Sequence, residues 1–137
     1  MIANSIGIAS GGFLYSDNII VHAKFRFTAL HNWPDAPDSH AYLRQLHRHE
    51  FHVTVGAKVH HDDRDIEFID MKETISAFCK EQFEGKELVG VSCEMMAKAI
   101  LNRFEVLTFA KVEEDGENGA MVVRTYTPES IASEVRL

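Results

Sequence analysis

His47-Arg48-His49-Glu50-Phe51-His52-Val53-Thr54-Val55-Gly56-Ala57-Lys58-Val59-His60 carries Phe51, Val53, Val55, Ala57 and Val59 at every second position. Successive side chains of a strand point to opposite faces, so these five residues make one apolar face and the stretch reads as a long strand. The same parity puts His47 and His49 on one face and His52 on the other. Two imidazoles two residues apart on a strand are a two-toothed grip for a metal ion. They are equally compatible with partly exposed strand histidines that bind nothing.

Upstream, residues 19–30 alternate Phe25, Phe27 and Ala29 against Lys24, Arg26 and Thr28, and read as a second strand. Residues 6–15, broken by Gly11-Gly12, read as an irregular strand or arm. Asn32-Trp33-Pro34-Asp35-Ala36-Pro37-Asp38-Ser39 holds two prolines and the only tryptophan, and marks a loop. Downstream, Asp62-Asp63-Arg64 is expected to make a hairpin turn, with Ile66-Glu67-Phe68-Ile69 as the returning strand. From Asp70, expected at the N-cap, the period becomes helical through Met71, Ile75, Phe78 and Cys79. Gly85 and Gly90 punctuate a connection. Ser92-Cys93-Glu94 opens a second helix over residues 94–104, with Met95, Ala99, Ile100 and Leu101 as its apolar positions. Residues 106–112 and 120–126 form a hairpin around the acidic segment 113–119, and residues 127–137 a surface tail or short helix. Helices grouped on one side of an antiparallel sheet make an α+β fold.

With 137 residues, 45% of them hydrophobic and 26% charged, the chain is expected to be one globular domain, 1–137. The net charge of −7, with no stripe of Lys and Arg, argues against nucleic acid as a partner. No stretch approaches the roughly 18 to 20 apolar residues that cross a bilayer, and Met1-Ile2-Ala3-Asn4-Ser5 lacks the basic flank of a secretory signal. No membrane association and a cytoplasmic location are expected, with Cys79 and Cys93 as free thiols.

A catalytic zinc takes three protein ligands and leaves a position for water or substrate. His31 is the best third ligand, because it ends the first strand and lies beside the start of the second if the two pair as antiparallel neighbours. His22, His40, His60 and His61 fall at loops or strand ends, where solvated side chains are the ordinary outcome.

Five segments in order resemble the tunnelling-fold family of 6-pyruvoyl tetrahydropterin synthase and 6-carboxytetrahydropterin synthase. They are Phe27-Thr28-Ala29-Leu30-His31, Leu46-His47-Arg48-His49-Glu50-Phe51, Phe68-Ile69-Asp70-Met71-Lys72, Ser92-Cys93-Glu94 and Val112-Glu113-Glu114 ahead of Gly119. The resemblance implies a four-stranded antiparallel sheet with two helices on one face, and assembly into rings, commonly a hexamer, with active sites between subunits. It implies Zn2+ on His31, His47 and His49. It also places Glu114 as the anchor of a pterin, whose 2-amino-pyrimidinone edge offers two N–H groups to a carboxylate. Ser92 and Cys93 would help to form the pterin pocket. Without the resemblance, residues 113–117 would pass for a solvated acidic turn, and Ser92 for an ordinary helix cap.

Two positions depart from the family. Where its members carry a catalytic Cys, four residues before His-x-His, this chain has Leu43. Where they carry an Asp-His pair, it has Glu84-Gly85. A replacement base would have to come from Glu50, His52, Cys93 or a neighbouring subunit, and Glu50 and His52 should point away from the metal. Two readings follow. One is a zinc-dependent lyase acting on 7,8-dihydroneopterin triphosphate in 7-deazaguanine biosynthesis, with Glu84 as its remaining catalytic residue. The other is a binding protein that kept a pterin or purine-like pocket and lost the reaction.

Overall fold

The computed structural model describes residues 17–125, so the expectations for residues 6–15 and 127–137 lie outside the described residues. Strands β1 (Ile19–His31) and β2 (His47–Val59) pair antiparallel along their whole length, from Ile19 opposite Val59 to His31 opposite His47. They are joined through a 3-10 segment, Asp38–Arg44. After β2 come α1 (Phe68–Gln82), the two-residue β3 (Glu87–Leu88) and α2 (Cys93–Arg103). The hairpin β4 (Phe109–Glu114) and β5 (Asn118–Val123) follows. The sheet order is β3-β1-β2-β4-β5, with β3 parallel to β1 and every other pair antiparallel.

The α+β expectation holds, with four antiparallel strands and two helices, and β3 adds a fifth strand. The core forms where Phe27, Ala29, Phe51, Val53, Val55, Ala110 and Val112 on one sheet face meet Met71, Ile75 and Cys79 of α1. Met96, Ala97, Ile100 and Leu101 of α2 close it. Burying such side chains contributes about 1.5–3 kcal/mol each before the entropy of ordering the chain is set against it.

Four local expectations are corrected. The strand expected at Ile66–Ile69 does not form: Phe68 and Ile69 begin α1, and both are exposed. Asp70 is not the N-cap, because the Glu67 carboxylate accepts the Asp70 N–H at 2.9 Å and starts the helix three residues earlier. On α2 Ile100 and Leu101 are buried as expected, but the residues that join them are Met96 and Ala97, one helical turn earlier on the same face, and not Met95, which is 57% exposed. The acidic turn is also shorter than expected. Glu113, Glu114, Asn118 and Gly119 lie in the strands, and only Asp115, Gly116 and Glu117 make the bend.

Candidate metal centre

The pairing of β1 with β2 builds the site. His31 faces His47, and Ala29 faces His49, so three core-side imidazoles meet at one end of the sheet, just beyond the Phe27–Phe51 pair. Their ligand nitrogens lie within 4.8 Å of one another. Phe51, fully buried, sets its ring edge-on against His31 at 5.1 Å and at a steep angle to His49 at 5.7 Å, forming a floor that limits their rotation.

Each imidazole is tied at Nδ1. His31 Nδ1 donates to the Val91 carbonyl at 2.9 Å, His47 Nδ1 to the Gln45 carbonyl at 2.9 Å, and His49 Nδ1 to the Asp115 carboxylate at 2.7 Å. Carbonyl and carboxylate oxygens only accept, so the ring proton is at Nδ1 and Nε2 is left with a lone pair. Holding the second nitrogen in this way fixes the tautomer and raises the basicity of a metal-ligating histidine. Among the described residues, His31 Nε2 is buried without a hydrogen-bond partner. A Glu114 oxygen lies 3.0 Å from it, but a lone pair facing a carboxylate is not a hydrogen bond. Glu114 also reaches within 3.6 Å of His49 Nε2. A buried, unpartnered nitrogen among three neutral imidazoles is the donor set that zinc and other borderline transition metals take.

Burial is the main influence on His31 and holds its pKa below the ordinary histidine value, so the ring is neutral near pH 7. The hydrogen bond from His49, and then the Glu50 N–H at 3.0 Å, keep the Asp115 carboxyl below the usual range. Asp115 is the residue that sequence reasoning missed. It adopts φ 55° at the tip of the β4–β5 turn, uncommon outside glycine, and its carboxylate thereby spans the His49 ring and the Glu50 amide.

A cavity of about 520 Å³ opens beside the triad. Of the residues expected at the site, His31, His47, Leu43, Ser92, Cys93 and Glu114 line it. Ser92 Oγ accepts the Met95 N–H at 3.1 Å, so the residue is both the cap of α2 and part of the wall. Trp33, which sequence reasoning left in a loop, lines the same cavity, with its backbone N–H donating to the Leu43 carbonyl at 2.7 Å. Burial, then the nearby Glu114, Glu94 and Glu113, pushes the Cys93 thiol up to about 12, which disqualifies it as a base near neutral pH. Glu50 and His52 bond to each other at 3.1 Å on the opposite face, as the strand parity requires.

Glu84 and Gly85 are not part of this cavity. They follow α1, where Gly85 takes φ 72° and donates its N–H to the Thr28 carbonyl at 2.7 Å, returning the chain to the edge of β1. Glu84 is exposed.

No family model matches the sequence, and no curated protein matches it. Among solved structures, the chain is similar to 6-pyruvoyl tetrahydropterin synthase from Caenorhabditis elegans, with a TM-score of 0.63 and 11% sequence identity, over 80% of this chain and 97% of that one. The chain therefore has the tunnelling fold of 6-pyruvoyl tetrahydropterin synthase.

Proposed function

We propose that this chain is a zinc-dependent enzyme of pterin metabolism, resembling 6-carboxytetrahydropterin synthase and acting on 7,8-dihydroneopterin triphosphate in the route to 7-deazaguanines. The observation that carries this reading is the convergence of three imidazoles, each held at Nδ1, on the Glu114 carboxylate, at the wall of a cavity that His31, His47 and Glu114 line. His31, His47 and His49 hold the metal, which when bound supplies Lewis-acid polarisation of an oxygen on the substrate side chain. Glu114 accepts the paired N–H groups of the pterin ring, and Ser92 and Cys93 at the start of α2 border the ring's other polar edge. Trp33 and Leu43 provide an apolar wall that keeps water from the ring.

With Cys93 held protonated and Glu50 and His52 on the far face, none of these three replaces the family's cysteine in this copy's cavity. Glu84 is assigned as the remaining proton-handling residue, acting from a neighbouring subunit of a hexamer, since it stands outside the cavity of its own chain. Losing general acid-base help typically costs about a hundred- to ten-thousandfold, so turnover slower than that of a cysteine-bearing enzyme is expected. The test is incubation of zinc-loaded protein with 7,8-dihydroneopterin triphosphate, following substrate loss and release of triphosphate by chromatography. Consumption that vanishes in His49→Ala supports the enzyme.

Leu43 on the cavity wall favours a second reading, a protein that binds a pterin or purine-like ligand without turning it over. Tight binding of the substrate with no consumption by the wild-type protein would establish that reading and end the first.

A further inference from the structure

On β4, Ala110, Val112 and Glu114 fall at every second position, and the first two are fully buried, so Glu114 ends a core-side row. Its register partner on β2 is Phe51, the floor of the triad. Glu113 points the other way and pairs with Lys111 at 3.7 Å. Residues 114 and 115 thus approach His49 from two sides: Asp115 accepts its Nδ1 proton at 2.7 Å, and Glu114 Oε1 lies 3.6 Å from its Nε2.

Both Glu114 oxygens face lone pairs. Oε2 lies 3.0 Å from His31 Nε2, Oε1 faces His49 Nε2, and both nitrogens are acceptors because the ring protons sit at Nδ1. Acceptors this close repel, and the more so away from water, with the His31 side chain 8% exposed and that of Glu114 28%. Among the described residues, no Lys or Arg pairs with Glu114, and none lines the cavity that it shares with His31 and His47. A partly buried carboxylate without a cation is costly. A cation between the carboxylate and the imidazoles removes both penalties.

The spacing suits a metal ion. Zinc bonds nitrogen and oxygen ligands at about 2.0–2.2 Å, so two ligand atoms of a tetrahedral site lie about 3.4 Å apart. The contacts of 3.0 and 3.6 Å bracket that edge. The competing cation is a proton on His31 Nε2, which a metal titration distinguishes.

We infer that Glu114 is the fourth ligand of the metal that His31, His47 and His49 hold, closing the site while the cavity contains no ring. The inference rests on the metal reading of the triad and goes beyond it in giving Glu114 a second use. Its two oxygens are also the acceptors assigned to the ring edge, so a ring that takes the carboxylate withdraws it and opens one position of the metal.

Cobalt(II) in place of zinc reports its ligands through its visible absorption. Full-length wild-type protein, Glu114→Gln, Glu114→Ala, His31→Ala and the control Glu113→Gln are titrated with Co2+, and the loaded proteins are followed from about pH 6.5 to about pH 9, across the range where water on such a metal ionises. With the carboxylate in the fourth position, the wild-type spectrum should stay constant. In Glu114→Ala water takes that position, so the spectrum should change with a midpoint near about pH 7. In a chelator competition, Glu114→Gln should weaken zinc at least about tenfold and Glu114→Ala further, while Glu113→Gln leaves it unchanged, all with unaltered circular dichroism. A wild-type spectrum that titrates like that of Glu114→Ala, or equal zinc affinity in wild type and both Glu114 variants, overturns the inference, gives the 3.0 Å contact to a proton and leaves the three-imidazole site standing. No stoichiometric cobalt in the wild type, or cobalt held as tightly by His31→Ala, ends the metal reading and the inference together.

Discussion

His31 is the residue on which the candidate metal centre turns, because burial and the Val91 carbonyl leave it a single free atom, Nε2. His31→Ala should abolish stoichiometric zinc in the purified protein, measured by atomic emission, while His52→Ala, on the opposite face, should leave the zinc content unchanged. Asp115→Asn should weaken zinc about ten- to hundredfold in a chelator competition without changing the fold, since partners that orient a metal-bound histidine carry about that much affinity. The pH dependence of the metal-free protein follows from His31. Its folded pKa is depressed, so between that value and the ordinary histidine value of about 6.5 the unfolded chain binds a proton that the native chain does not. Stability should therefore be fully present above about pH 6.5 and fall as the pH drops below it, read as a lower urea midpoint at about pH 5.5 than at about pH 7.5. The triad was legible in the sequence because strand parity is simple arithmetic: His47 and His49 must share a face, and an antiparallel partner ending at His31 must bring it beside them. Asp115 was not legible, because its role depends on the left-handed conformation of one turn residue and on a hairpin register that apolar alternation leaves free by several residues.

Among the elements, the β4–β5 hairpin holds Glu114 and Asp115 in place, and Gly119 permits its close approach. A Cβ at Gly119 would come within 2.0 Å of the Val112 carbonyl oxygen and 2.6 Å of Glu113 Cα, both backbone atoms that a rotamer change cannot move. Gly119→Ala should destabilise the protein by about 1–3 kcal/mol, and by displacing the hairpin should also weaken zinc. Calorimetric melting and the same chelator competition check the two effects together, and unchanged zinc affinity in a destabilised variant would separate the hairpin from the site. Long elements were legible for the same reason the hairpin mattered: thirteen residues of β1 and thirteen of β2 repeat their pattern often enough to leave one reading. Ile66-Glu67-Phe68-Ile69 did not, since four mostly apolar residues fit the end of a strand or the first turn of a helix, and Glu67 is not among the side chains that usually cap one. The two-residue β3 carries no periodicity at all. It is held by the Leu30 N–H bond to the Lys86 carbonyl and by the turn at Gly85, which only the folded chain brings to β1.

At the scale of the whole molecule, the described residues leave both sheet edges without a full partner strand. Among the described residues, β1 pairs with β3 only at Leu30 and His31, and β5 has a single neighbour, β4. Open edges invite pairing with another chain, and one copy of this chain supplies both a β1 and a β5 edge for the next. The proposed ring should give a solution mass about six times the 15.5 kDa chain by light scattering. A proline placed at Lys24, inside β1, removes a backbone donor and should shift that mass downward if the donor serves the edge. Metal and assembly also act on stability together. Zinc that binds only the folded chain stabilises it by RT ln(1 + [L]/Kd), about 4 kcal/mol at a thousandfold excess over Kd. Adding zinc should therefore raise the melting temperature of the wild-type protein by several degrees and that of His31→Ala not at all, and an equal rise in both would place the bound zinc somewhere other than the three imidazoles.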